Sequence, residues 1–241
     1  MFPSSLQRDV RLGLMTVAIA SGCAAQLALA GPTWDVDYTN DALQTATTAQ
    51  IVSASLSPYI NIFGRLSGYG FTGPSDFVDM YQISIDTQTM VSISTAGGSL
   101  GGNTTFDSQL FIFKRKGGNG NRVRAVALHG NNDAAVGNQG SRIGDEFDSS
   151  SNYTVLAPGF YYLAIAGVGS NAIADDGSLI WPDLDIAGST VFGNERILDD
   201  WGGEGAVGEY HIKLHAVNGF VPSPGAIALL GIAGLVKRRR R

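Results

Sequence analysis

The chain has a single cysteine in 241 residues, Cys23, so no disulfide can form within it. The fold must be held by buried apolar surface, which a chain of this length can supply. Histidine is scarce as well, with three in all (His129, His211 and His215). His211 and His215 are four apart, about 13 Å along a strand, too far to share one zinc ion. No His-Glu-x-x-His pattern occurs, and the one Gly-x-Ser-x-Gly match, Gly97-Gly98-Ser99-Leu100-Gly101, sits in a glycine-rich turn cluster with no helical period after it, unlike a nucleophile elbow. Without a nucleophile set beside a base, or a metal motif with an open position, the chain reads as non-catalytic. Cations are few: nine Lys and Arg between Gly31 and Phe220 face twenty Asp and Glu, a net charge of −11. That balance disfavours nucleic acid and anionic lipid as partners. It suits a solvated acidic surface, or an oxygen-rich calcium-binding protein. No stretch outside the termini holds a helical period.

What the chain does have begins at its ends. Residues 1–30 carry Arg8 and Arg11, an apolar stretch from Leu12 to Leu29, and Ala28-Leu29-Ala30 before Gly31. This is the pattern of a signal peptide cut after Ala30. Cys23 falls inside it, within Ile19-Ala-Ser-Gly-Cys23, with Ala20 three residues before. The segment resembles a lipobox with Ala20 where leucine is usual, and both a lipidated and an ordinary cysteine fit it.

The other end, residues 220–241, has three parts. A break at Val221-Pro222-Ser223-Pro224 precedes an apolar run from Gly225 to Val236, and Lys237 to Arg241 supply five positive charges. Twelve apolar residues as a helix reach about 18 Å, short of the ~30 Å of a hydrocarbon core. The basic end acts as a stop on the cytoplasmic side. The tail resembles the PEP-CTERM sorting signals of bacteria, with Ser223 where glutamate is usual. The resemblance implies export machinery and an exosortase-like membrane protease as partners. It places the protein in the cell envelope, at the surface or outside the cell, attached to the membrane transiently. An uncut weak anchor is the other reading of the same segment.

Between the ends, residues 31–219 are rich in Gly, Ser, Thr and Asn, with short apolar runs between turn clusters. Alternation over Met80 to Ile85 and Val91 to Ser94 predicts half-buried strands. The continuous run Leu110-Phe-Ile-Phe113 predicts a central strand buried on both faces. Val123–Leu128, Asn152–Leu156, Tyr161–Ala166 and Tyr210–Val217 add further strands. Gly117 to Asn121 reads as a hairpin turn and Ala157-Pro158-Gly159 as a tight turn with positive φ at the glycine. Many short strands of this kind predict an all-β, antiparallel two-sheet sandwich, jelly-roll-like. A long irregular insertion, Ser170 to Gly208, precedes the last strand. It carries Trp181 and Trp201, which stack on polysaccharide if exposed and pin the loop if buried.

Taken in order, these segments resemble the bacterial pre-peptidase C-terminal domain, a secreted β-sandwich module. The resemblance rests on the acidic opening Asp35 to Asp41, on Ile62 to Leu66, Asp76 to Tyr81 and Phe106 to Phe113. Asn131-Asn132-Asp133, Leu156 to Leu163 and Gly208 to Leu214 continue it. In some relatives the matching acids hold calcium, which implies Asp35, Asp37, Asn40, Asp41, Asp76 and Asp79 as ligands here. Alternating acids on one side of an extended segment suit a cation that takes six to eight oxygens. Turn-forming and strand-capping roles are the alternative. Asn131 to Asp133 with Asp145, Glu146 and Asp148 form a second acidic cluster. The functional expectation is a non-catalytic exported surface or matrix protein with a structural or accessory role. The alternative is a carbohydrate- or protein-binding module, calcium-stabilised.

Overall fold

The computed structural model describes residues 42–52, 59–69, 75–98, 101–117, 123–144, 154–184, 188 and 190–216. The strands in chain order are β1 (Gln50–Ile51), β2 (Tyr59–Leu66), β3 (Val78–Ile85), β4 (Thr89–Ser94), β5 (Asn103–Thr104), β6 (Ser108–Gly117) and β7 (Val123–Asn131). They continue as β8 (Arg142–Ile143), β9 (Thr154–Leu156), β10 (Gly159–Gly167), β11 (Asn171–Ala174), β12 (Val191–Phe192), β13 (Leu198–Gly202) and β14 (Gly208–Ala216). No α-helix occurs among the described residues.

The strands form two large sheets packed face to face. Sheet A has the order β2-β14-β4-β8, with β5 also on β14 and β9 also on β4. Sheet B has the order β1-β3-β10-β6-β7-β12. All pairings are antiparallel except β1 on β3. The expected antiparallel sandwich is therefore what the chain forms.

Side-chain alternation explains the layers. Ile60, Ile62 and Leu66 of β2, Ile212 and Leu214 of β14, and Val91 and Ile93 of β4 point inward. They meet Tyr81, Ile83 and Ile85 of β3, Leu110 and Ile112 of β6, and Leu163 and Ile165 of β10 in the first core. The central strands β6 and β10 are apolar on both faces, as Leu110 to Phe113 predicts. Their other faces, with Phe111, Phe113, Tyr162 and Ala164, build a second core against Ile180, Trp181 and Leu184 of the insertion. The molecule thus has three layers: sheet A, sheet B, and the insertion over the outer face of sheet B.

Two features depart from the sequence reading. Strand β2 was not among the expected strands. Its outward positions, Tyr59 and Phe63, are aromatic and exposed, which hides the in–out alternation. The insertion also carries structure of its own, because β11 pairs with β13 and β12 extends sheet B. Gly159 has positive φ (154°) as expected, but it lies near extended geometry and opens β10 opposite Ile85.

Candidate functional site

Of the six proposed calcium ligands, Asp76 and Asp79 lie within the described residues; Asp35, Asp37, Asn40 and Asp41 lie outside them. Asp76 precedes β3 and is buried. Its Oδ2 accepts hydrogen bonds from Ser67 N and Ser67 Oγ, both at 2.6 Å, and its backbone pairs with Gly68. It closes the far end of the β2–β3 connection. Asp79 lies in β3 and is fully buried, and its Oδ2 accepts the hydroxyl proton of Tyr210 in β14. Tyr81 Oη lies 2.5 Å from Tyr210 Oη and extends this chain of hydroxyls. Burial, then the Asp79 carboxylate and Tyr81, push the Tyr210 hydroxyl well above its ordinary titration range.

The two carboxylates are therefore held by different partners, one at a strand junction and one between the sheets. Leu43 O accepts the N–H of Met80 at 3.0 Å, so the chain that follows the acidic opening runs beside β3 at Asp79. Among the described residues no group of three or more His, Cys, Asp or Glu converges. The sequence marked Asp79 as a charge at a strand start and missed its partner, 131 residues away. No local pattern could have supplied it.

The tryptophans separate. Trp181 is 5% exposed, and it packs on Phe111 and Phe113 at ring-centroid distances of 5.0 and 5.5 Å. Its indole N–H donates to Val191 O at 3.2 Å. It pins the insertion to sheet B and presents no face for a sugar. Trp201, in β13, is half-buried, packs edge-on against Phe111, and donates its indole N–H to Gln44 O at 2.9 Å. It also lines an open cleft of about 380 Å³ with Gln44, Thr45, Arg124, Asp199 and Asp200. An indole edge beside carboxylates, a guanidinium and a hydroxyl suits a polyhydroxylated ligand. The sequence singled out Trp201 on the insertion; Asp199 and Asp200 beside it and Arg124 from β7 enter the cleft only in the structure.

The second acidic cluster is reached in part, because Asp145, Glu146 and Asp148 lie outside the described residues. Asn131 caps its own turn, with Nδ2 donating to Asp133 O and Oδ1 accepting from Arg142 N at 2.7 Å. Nearby, Thr95 Oγ1 and Ser108 Oγ approach to 2.9 Å, and Ser141 Oγ donates to Asn132 O. These buried polar groups stitch the ends of β4, β6 and β7 together. His211 and His215 occupy one outer face of β14, stacked on Phe63 and Tyr59 at 4.2 and 4.5 Å. The sorting motif Val221, Pro222, Ser223 and Pro224 lies outside the described residues.

No protein-family model and no curated protein matches this chain.

Proposed function

We propose that this is a non-catalytic exported protein of the cell surface or extracellular matrix, delivered through its C-terminal tail, whose sandwich serves as a scaffold. The observation that carries the reading is the tail itself, Val221 to Arg241, with its Pro-punctuated break, short apolar run and basic stop. It follows within a few residues of β14, the strand that closes sheet A between β2 and β4. The buried polar groups around Asp79, Asp76 and Ser141 are engaged in holding strands together, which agrees with a structural role. Mass spectrometry on the surface fraction of the native host tests the delivery. The expected species starts near Gly31 and lacks Gly225 to Arg241. An intact C-terminus in all the mature protein would replace sorting with a retained anchor.

The cleft at Trp201 favours a second role, recognition of extracellular polysaccharide. Titrating neutral oligosaccharides should quench or shift Trp201 fluorescence, and Trp201→Ala should remove binding. No spectral change with any glycan at millimolar concentration would reject it. Calcium enters this reading as a stabiliser held by the acidic opening, with the course of Leu43 beside Asp79 as its support.

A further inference from the structure

Charge is divided between the two outermost layers of the molecule. The insertion, which covers the outer face of sheet B, has seven exposed carboxylates among its described residues, Asp183, Glu195, Asp199 and Asp200 among them. The insertion's own described residues include one cation, Arg196, paired with Asp176 at 2.5 Å, while Arg124 of β7 borders the layer beside Asp199 and Asp200. The opposite exterior is the outer face of sheet A, formed by the residues that alternate with the first core. There Arg65 stands opposite Glu209, and Lys213 and Arg142 flank Ser94 across the strands. Among the described residues the face carries three cations and one carboxylate, and its other described positions are neutral or titrate only at acid pH, as His211 and His215 do. Exposed Tyr59 and Phe63, each about two-fifths accessible, give it apolar area as well.

We propose that the chain associates with copies of itself head to tail. The cationic, aromatic outer face of sheet A in one copy docks on the acidic insertion layer of the next. Both halves of the complementarity lie on one chain and on opposite exteriors, so each copy can use both at once. A contact between two different patches is heterologous, and it builds an open stack unless its rotation happens to close a ring. Eight residues of β2 by four strands span about 26 Å by 14 Å, or roughly 400 Å². That is about half of the ~800 Å² that each partner gives to a stable complex. Each contact is therefore weak and governed by ionic strength. The inference does not depend on the export reading, because it uses only the charges on the folded domain.

Sedimentation velocity of the full chain, purified in mild detergent, tests it. Near 0.01 M salt, where the screening length is about 30 Å, the mean mass should rise steadily with concentration beyond a dimer. In ~1 M salt, where that length is about 3 Å, the chain should be monomeric. Arg65→Glu with Lys213→Glu reverses one face; Asp183→Lys, Glu195→Lys and Asp199→Lys together neutralise the other. Each variant alone should stay monomeric at low salt. An equimolar mixture should form a one-to-one dimer and stop there, because one intact face remains on each partner. That dimer also shows both variants to be folded. A wild-type chain monomeric at low salt, or assembly indifferent to salt, would overturn the proposal without recourse to the variants. So would a closed symmetric dimer that survives in both. Retention of a monomeric wild type on immobilised polygalacturonate, lost in Arg65→Glu/Lys213→Glu, would assign the cationic face to an acidic polysaccharide instead.

Discussion

At the scale of single residues, the hydroxyl of Tyr210 joins the two sheets chemically, since it donates across the core to the buried carboxylate of Asp79. Tyr210→Phe removes that donor and should destabilise the fold by about 1–3 kcal/mol, read as a lower midpoint in urea unfolding. Gly64 leaves the hydroxyl its room: a Cβ there would sit 2.2 Å from Tyr210 Oη. Gly64→Ala should therefore cost stability through the same group, and the double variant should lose less than the sum of the two. The three histidines set a pH dependence. Burial lowers the titration range of His129, His211 and His215, and Lys213 lowers His211 further. The folded chain thus favours neutral imidazole. As pH falls below about 6.5 the unfolded chain takes up protons first. Stability that is present above that pH is lost as pH falls through the folded values. The melting temperature should decline between about pH 7.5 and 5.5; a flat profile there would show the imidazoles to be freely solvated.

Among the elements, the insertion depends most on packing that its own sequence does not contain. Strands β11 and β13 are short and pair mainly with each other, so Trp181 on Phe111 and Phe113 is what fastens this layer to sheet B. Trp181→Ala should cost about 3–5 kcal/mol, the usual range for deleting a buried large aromatic side chain. In a variant with Trp34 and Trp201 replaced by Phe, the emission of Trp181 should resist acrylamide. Quenching at the rate of a free indole would place it outside the core. Elsewhere an element's own residues suffice. In β14, Tyr210, Ile212 and Leu214 alternate with Glu209, His211, Lys213 and His215, and the two sets fall on opposite faces of sheet A.

For the whole molecule, the acidic surplus is the dominant electrostatic fact, and calcium is the ligand that would relieve it locally. Should the opening acids and Asp76 or Asp79 share a cation, the chain will melt several degrees higher in millimolar calcium than in chelator. Magnesium will substitute poorly, because it demands tight octahedral geometry. A ligand at a hundredfold excess over its dissociation constant adds about 2.7 kcal/mol. Asp37→Ala should erase that difference; equal calcium shifts in wild type and variant would leave the opening as a solvated turn.

The all-β class was readable in the chain because strand alternation is local: a period of two and a turn residue at each end suffice to mark β3, β4 and β14. The doubly apolar Leu110 to Phe113 even marked the centre of a sheet, since only a strand covered on both sides tolerates such a run. Tertiary structure alone decided which residues meet. Asp79 and Tyr210 come from strands in different sheets, Arg124 joins the Trp201 cleft from β7, and Trp181 is buried only because the insertion folds back over β6. It also decided where charge goes. The net charge of the chain hides a cationic face, because Arg65, Arg142 and Lys213 are far apart in sequence and come onto one face only when β2, β8 and β14 join one sheet. Pairing over such separations is set by the total burial of both sheets, a quantity no local window of sequence contains.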